Sequence, residues 1–118
     1  MICCGQNRVV DKIARDGADT VKLEPHRTLP PVLKELKQQG YVLVGLEQTS
    51  NSESIYSFAF PRKMALVVGN ERSGLTPEEL KYLDRVVEIP VYGMPHSYNV
   101  HTSTAMALYE YCKQYPTG

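Results

Sequence analysis

Tryptophan is absent from the 118 residues, phenylalanine occurs twice, cysteine three times, and neither sign of charge prevails. Each shortage excludes something. Thirteen Lys and Arg balance thirteen Asp and Glu for a formal charge of zero, so no large uniform positive field is available to hold a polyanion. A histone-like or tail-type nucleic-acid binder is thereby excluded. Cys3 and Cys4 are adjacent and Cys112 is distant, which makes neither an even disulfide framework nor a Cys-x-x-Cys metal pair. No metal is expected, and the cysteine usage suits a reducing compartment. No apolar run approaches the roughly 18 residues that a membrane span requires. The first residues show no basic stretch followed by an apolar segment and a small-residue cleavage site, so the expected location is the cytoplasm, an organelle being the alternative.

What is present is an ordinary globular composition, 42% hydrophobic and 22% charged, at a length that predicts one domain over residues 1–118. Three short apolar runs rich in Val and Leu, Tyr41 to Leu46, Met64 to Gly69 and Val86 to Ile89, read as strands. Their apolarity is continuous rather than alternating, the pattern of strands covered on both faces in a parallel α/β sheet. Helical spacing links them. Leu29, Val32, Leu33 and Leu36 line one face of a helix that stops at Gly40, and Thr76-Pro77-Glu78-Glu79 is a capping box with Pro at its first turn, opening a helix to about Leu83. A last helix over about Asn99 to Gln114 turns Val100, Ala107, Leu108 and Tyr111 inward. Met1 to Gly5 resembles the tail of a buried strand with nothing before it to pair with; a missing upstream piece and a short edge strand are the two readings. Asn51 to Ser54 is the most polar stretch, read as a loop or a helix start, and there is no internal repeat.

Two loops carry the chemistry. Leu66-Val67-Val68-Gly69-Asn70-Glu71-Arg72-Ser73-Gly74-Leu75 ends a strand in a tight, glycine-flanked turn, at the carboxyl edge where parallel sheets bind ligands. It lacks the Lys-Ser/Thr of a Walker loop and the Gly-x-Gly-x-x-Gly of a dinucleotide site, so a local strand-to-helix turn competes with a ligand loop. Ile89-Pro90-Val91-Tyr92-Gly93-Met94-Pro95-His96-Ser97-Tyr98-Asn99-Val100 follows the next strand and leads into the last helix, whose start offers hydroxyl, amide and backbone N–H groups. Taken singly, Ser97 and Asn99 are ordinary caps. Their pairing with the first loop at one sheet edge points to a binding site.

Val68-Gly69-Asn70-Glu71-x-x-Gly74, followed by Ile89-Pro90-x-x-Gly93-Met94-x-x-Ser97-Tyr98-Asn99-Val100 and a helix with Tyr109-Glu110, resembles motifs 2 and 3 of the SpoU (TrmH-like) branch of the SPOUT RNA methyltransferases. Upstream, Cys4-Gly5, Asp11 to Ala14, Gly17-Ala18 and Gly45 to Thr49 resemble the stretch between motifs 1 and 2. The likeness covers nearly the whole chain. It implies an α/β fold, a mostly parallel sheet flanked by helices and closed by a C-terminal trefoil knot. It also implies bent S-adenosylmethionine in the knot, a homodimer, and methylation of a ribose 2′-OH in tRNA or rRNA. By motif position, Leu46, Gly69, Ile89 and Tyr98 are expected to contact the cofactor, chiefly through backbone groups. Glu71, Ser97 and Asn99 are expected to organise the catalytic loop and the substrate ribose.

The departures are specific. Tyr98 stands where the family usually has Leu, and His101 and Thr102 where it has small residues. Motif 1, with the arginine held to activate the 2′-OH, has no counterpart: Arg8, Arg15, Arg27, Arg62, Arg72 and Arg85 all lie outside such a context. The expectation is therefore an N-terminally truncated domain, and a noncatalytic cofactor- or RNA-binding dimer is the alternative to an enzyme. Cys3-Cys4 reads as buried and inert rather than redox-active, and His26, His96 and His101 have no ligand-spaced carboxylate or thiol. Met106, Tyr109 and Tyr111 are expected on a face of the last helix that a two-fold partner covers.

Overall fold

A computed structural model of the chain describes residues 1–6, 22–26, 28–69, 74–90 and 100–116. Six strands form one sheet: β1 (Ile2–Gln6), β2 (Lys22–His26), β3 (Val42–Leu46), β4 (Glu53–Ser54), β5 (Met64–Val68) and β6 (Arg85–Glu88). Three helices are described, α1 (Pro30–Gln38), α2 (Pro77–Lys81) and α3 (Val100–Gln114). Every pairing among these described strands is parallel and the order is β2-β1-β5-β3-β6-β4. The expected α/β sheet of parallel strands flanked by helices is what forms. The C-terminal knot that the resemblance implies cannot be traced without residues 91–99, which lie outside the described residues.

All five residues of β5 are buried, and its side chains divide between two cores as strand geometry requires. Met64, Leu66 and Val68 join Cys3, Val44, Val87, Phe58 and Phe60 against Ala107, Leu108 and Tyr111 of α3. Ala65 and Val67 join Ile2, Cys4 and Leu43 against Leu29, Leu33 and Leu36 of α1 and its approach. Burial on both faces explains why these strands are apolar throughout. Helix α1 ends as its glycine foretells: the Gly40 N–H donates to the Lys37 carbonyl and the Tyr41 N–H to that of Leu36, with Gly40 at φ 89°. That is a Schellman closure, which needs a left-handed residue at this position. At α2 the Thr76 hydroxyl accepts from the Glu79 N–H and the Glu79 carboxylate from the Thr76 N–H.

The fold corrects four expectations. β1 is no edge strand, since β2 and β5 flank it on either side, and the partners sought upstream come from within the chain. β2, Lys-Leu-Glu-Pro-His, has no apolar signature because it sits at the sheet edge, where its Pro25 is tolerated. Glu53 and Ser54, read as loop or helix, form the two-residue edge strand β4 on β6. Tyr111 does not face a partner. It is buried, stacked edge-on with Phe60 at 6.1 Å between centroids, and its hydroxyl donates to the Arg62 carbonyl at 2.7 Å. Among the described residues no helix is long and apolar enough to cross a membrane.

Candidate functional site

The carboxyl ends of β5, β3 and β6 lie side by side, and three of the expected cofactor residues meet there. Leu46 closes β3, in register with Val68 of β5 on one side and Val87 of β6 on the other. Gly69 is the residue after Val68, and Ile89 stands two past Val87. Leu46 and Ile89 are half-buried against the α3-side core, so each offers an apolar edge as well as its backbone. The remaining expected residues, Glu71, Ser97, Tyr98 and Asn99, lie outside the described residues.

Gly69 is held by space. A Cβ there would stand 2.4 Å from the Gly74 carbonyl carbon and 2.6 Å from the Leu75 nitrogen, so the main chain returning at 74–75 passes directly over the end of β5. Gly74 itself has φ 65°, a left-handed conformation that glycine adopts without steric cost.

Sequence reasoning assigned no role to Glu47, the residue after β3. Its Oε2 accepts from the Leu75 N–H at 2.8 Å and fills the place a Gly74 side chain would take, 2.3 Å from that built Cβ. Its own N–H donates to the Val87 carbonyl at 3.1 Å. One residue thus ties the end of β3 to β6 through its backbone and to the chain returning after β5 through its carboxylate. Further along the same edge, Ser52 accepts from the Thr49 N–H at 3.2 Å, and its hydroxyl lies 3.0 Å from Glu88 Oε1 at the end of β6. Apart from the Gln48 N–H, from which its Oε1 accepts at 3.3 Å, these contacts of Glu47 cross 28 residues or more of sequence, so no local signal announces them.

The two described arginines are on the other side of the sheet's length. Arg85 opens β6, paired through two nitrogens with Glu53, its Nε 2.6 Å from Oε2, with its guanidinium over the Phe58 ring. That pairing holds the Glu53 carboxyl below its ordinary range and the Arg85 guanidinium above its own. Arg62 precedes β5 and lies 5.6 Å over the Tyr115 ring. Cys3 is fully buried in mid-strand and desolvation pushes its thiol up to about 12, which leaves it protonated and unreactive at neutral pH. No group of three or more His, Cys, Asp or Glu among the described residues is placed to hold a metal.

The SpoU rRNA Methylase family model matches residues 2–109. The chain belongs to the SpoU methylase family. Its SpoU relatives include the tRNA (guanosine(18)-2′-O)-methyltransferase TARBP1 of Mus musculus, 41% identical over 73% of this chain and 5% of that protein. The 23S rRNA (guanosine-2′-O-)-methyltransferase RlmB of Neisseria meningitidis serogroup B is 34% identical over 93% of this chain and 44% of that protein. The chain therefore spans less than half the length of these curated relatives. Among solved SpoU folds, the A. aeolicus TrmH/SpoU tRNA modifying enzyme superposes with TM-score 0.79 at 23% identity, over 98% of this chain and 75% of that one. The SpoU methyltransferase AviRb of Streptomyces viridochromogenes, solved in complex with AdoMet, gives 0.78 at 19% over 100% and 58%. A parallel sheet with this strand order is the SpoU fold in this chain.

Proposed function

We propose that this chain is the cofactor-binding part of an RNA 2′-O-ribose methyltransferase, which transfers the methyl group of S-adenosylmethionine to a ribose 2′-OH in tRNA or rRNA. The observation that carries the reading is the meeting of Leu46, Gly69 and Ile89 at one sheet edge in a chain of the SpoU family. Both curated relatives named above act on guanosine riboses by their names, which favours a guanosine target.

The residues present fit the cofactor. Three adjacent strand ends offer backbone amides and carbonyls, the apolar side chains of Leu46 and Ile89 can flank a purine, and Gly69 adds no side chain. When bound, S-adenosylmethionine supplies a sulfonium-activated methyl group. Leu46, Gly69 and Ile89 hold it by backbone groups, and Glu71, Ser97 and Asn99 orient the ribose. A base must take the 2′-OH proton as the oxygen attacks. We assign that step to the motif 1 arginine that the resemblance implies, a context that neither Arg62, ahead of β5, nor Arg85, at the start of β6, provides. A homodimer through α3 completes the proposal: Met106 and Tyr109 face outward on it, Tyr109 at 68% exposure.

The test is tritiated-methyl incorporation into bulk tRNA and rRNA, with nuclease mapping of the ribose. The 118 residues alone should bind the cofactor but methylate slowly, and the chain extended by its native upstream reading frame should methylate robustly. An extended chain that binds the cofactor yet transfers nothing would establish the noncatalytic binding dimer instead.

A further inference from the structure

We infer that Glu47 is a positioning residue for the cofactor loop, holding the chain that returns after β5 against the ends of β3 and β6. The inference rests on the cofactor reading above and deepens it. The Leu75 side chain and most of its surface are buried, with 5% of the residue exposed, so its amide cannot turn to solvent, and the Glu47 Oε2 at 2.8 Å is its acceptor. A carboxylate and a carboxamide each carry an oxygen that can accept from this amide.

The consequence reaches Gly69. A side chain there would meet the backbone of Gly74 and Leu75, and Glu47 lies beside the first of these residues and accepts from the amide of the second. Release of the Leu75 amide lets the return segment lift from the end of β5, and the backbone groups of Gly69 and Leu46 then lose their common geometry. Gly74 completes the arrangement from the other side: with no Cβ, it leaves room for the carboxylate. Acceptor capacity at this position, rather than charge alone, is the required property, so glutamine should substitute for glutamate and alanine should not.

The experiment compares wild type, Glu47→Gln and Glu47→Ala in the full-length protein. Calorimetric titration with S-adenosylmethionine should show affinity weakened about tenfold by alanine and within about twofold of wild type for glutamine. In steady state, alanine should raise KM for S-adenosylmethionine and leave KM for RNA unmoved, a split that general misfolding does not produce. Amide hydrogen exchange across residues 74–76, measured without cofactor, should speed up in the alanine variant alone. Weakening of less than about fivefold by alanine, or glutamine as weak as alanine, overturns the inference. Wild type that shows no heat while alanine still opens 74–76 overturns the cofactor reading and leaves the clamp standing.

Discussion

At the scale of single residues, two positions give opposite kinds of test. Gly69 is limited by main chain that cannot swing aside, so Gly69→Ala should cost about 1–3 kcal/mol of stability by overpacking. It should also abolish measurable S-adenosylmethionine binding, read by denaturant midpoint and calorimetry on the same sample. Cys3 is limited by solvation. Burial raises its thiol from 9.0 to about 12, so above pH 9 the unfolded chain loses a proton that the folded chain keeps. The stability that this contributes is intact below about 9 and falls as pH rises toward 12, by at most about 1.4 kcal/mol per pH unit. Tyr111, raised chiefly by desolvation, adds to the same alkaline loss above its ordinary 10. Urea unfolding at pH 8 to 10 should therefore show a steeper decline for wild type than for Cys3→Ala; equal slopes would refute the assignment to this thiol.

At the scale of elements, legibility followed burial. β3, β5 and β6 were readable to within a residue or so because their middles are buried and apolar, through all five residues of β5 and at Val87 of β6. β2 and β4 were not, because an edge strand is selected by its neighbour's unpaired backbone and not by its own pattern. α1 and α2 were readable from Gly40 and the Thr76 box, which act within a few residues. The anchoring of α3 was not. Gln114 accepts from the Phe60 N–H at 2.8 Å and donates to the Phe58 carbonyl at 3.0 Å, and the Tyr115 hydroxyl donates to the Phe60 carbonyl, across 54 to 56 residues. These bonds satisfy the backbone of a connecting segment that has no strand partner there. Gln114→Ala should cost about 1–3 kcal/mol by leaving part-buried groups unmatched, while Thr76→Ala should cost about 1 kcal/mol through the lost cap. Melting curves at neutral pH would order the two.

At the scale of the whole molecule, the site was legible only where the resemblance named a strand end. Leu46, Gly69 and Ile89 stand at the ends of three different strands, and they come together because a parallel sheet brings successive carboxyl ends to one edge. Glu47 escaped because its partner is chosen by the crossing of the chain over β5, which no local pattern encodes. The α3 face shows the same limit from outside. The dimer face was expected to include Met106, Tyr109 and Tyr111, yet Tyr111 lies in the monomer core, as its spacing with Ala107 and Leu108 indicated, with its hydroxyl on the Arg62 carbonyl, and Met106 and Tyr109 stay outward. If these two are covered in a two-fold dimer, each is buried twice, once per protomer. Replacing both by glutamate removes four buried apolar side chains and sets like charges against each other across the axis. At about 1.5 kcal/mol or more per side chain, the dissociation constant should rise by a factor of at least about ten thousand. Light scattering at micromolar concentration should then report a dimer for wild type and a monomer for the double variant, with the melting of Gln114-anchored α3 otherwise preserved. A wild-type monomer, or a double variant that stays dimeric, would move the interface away from α3.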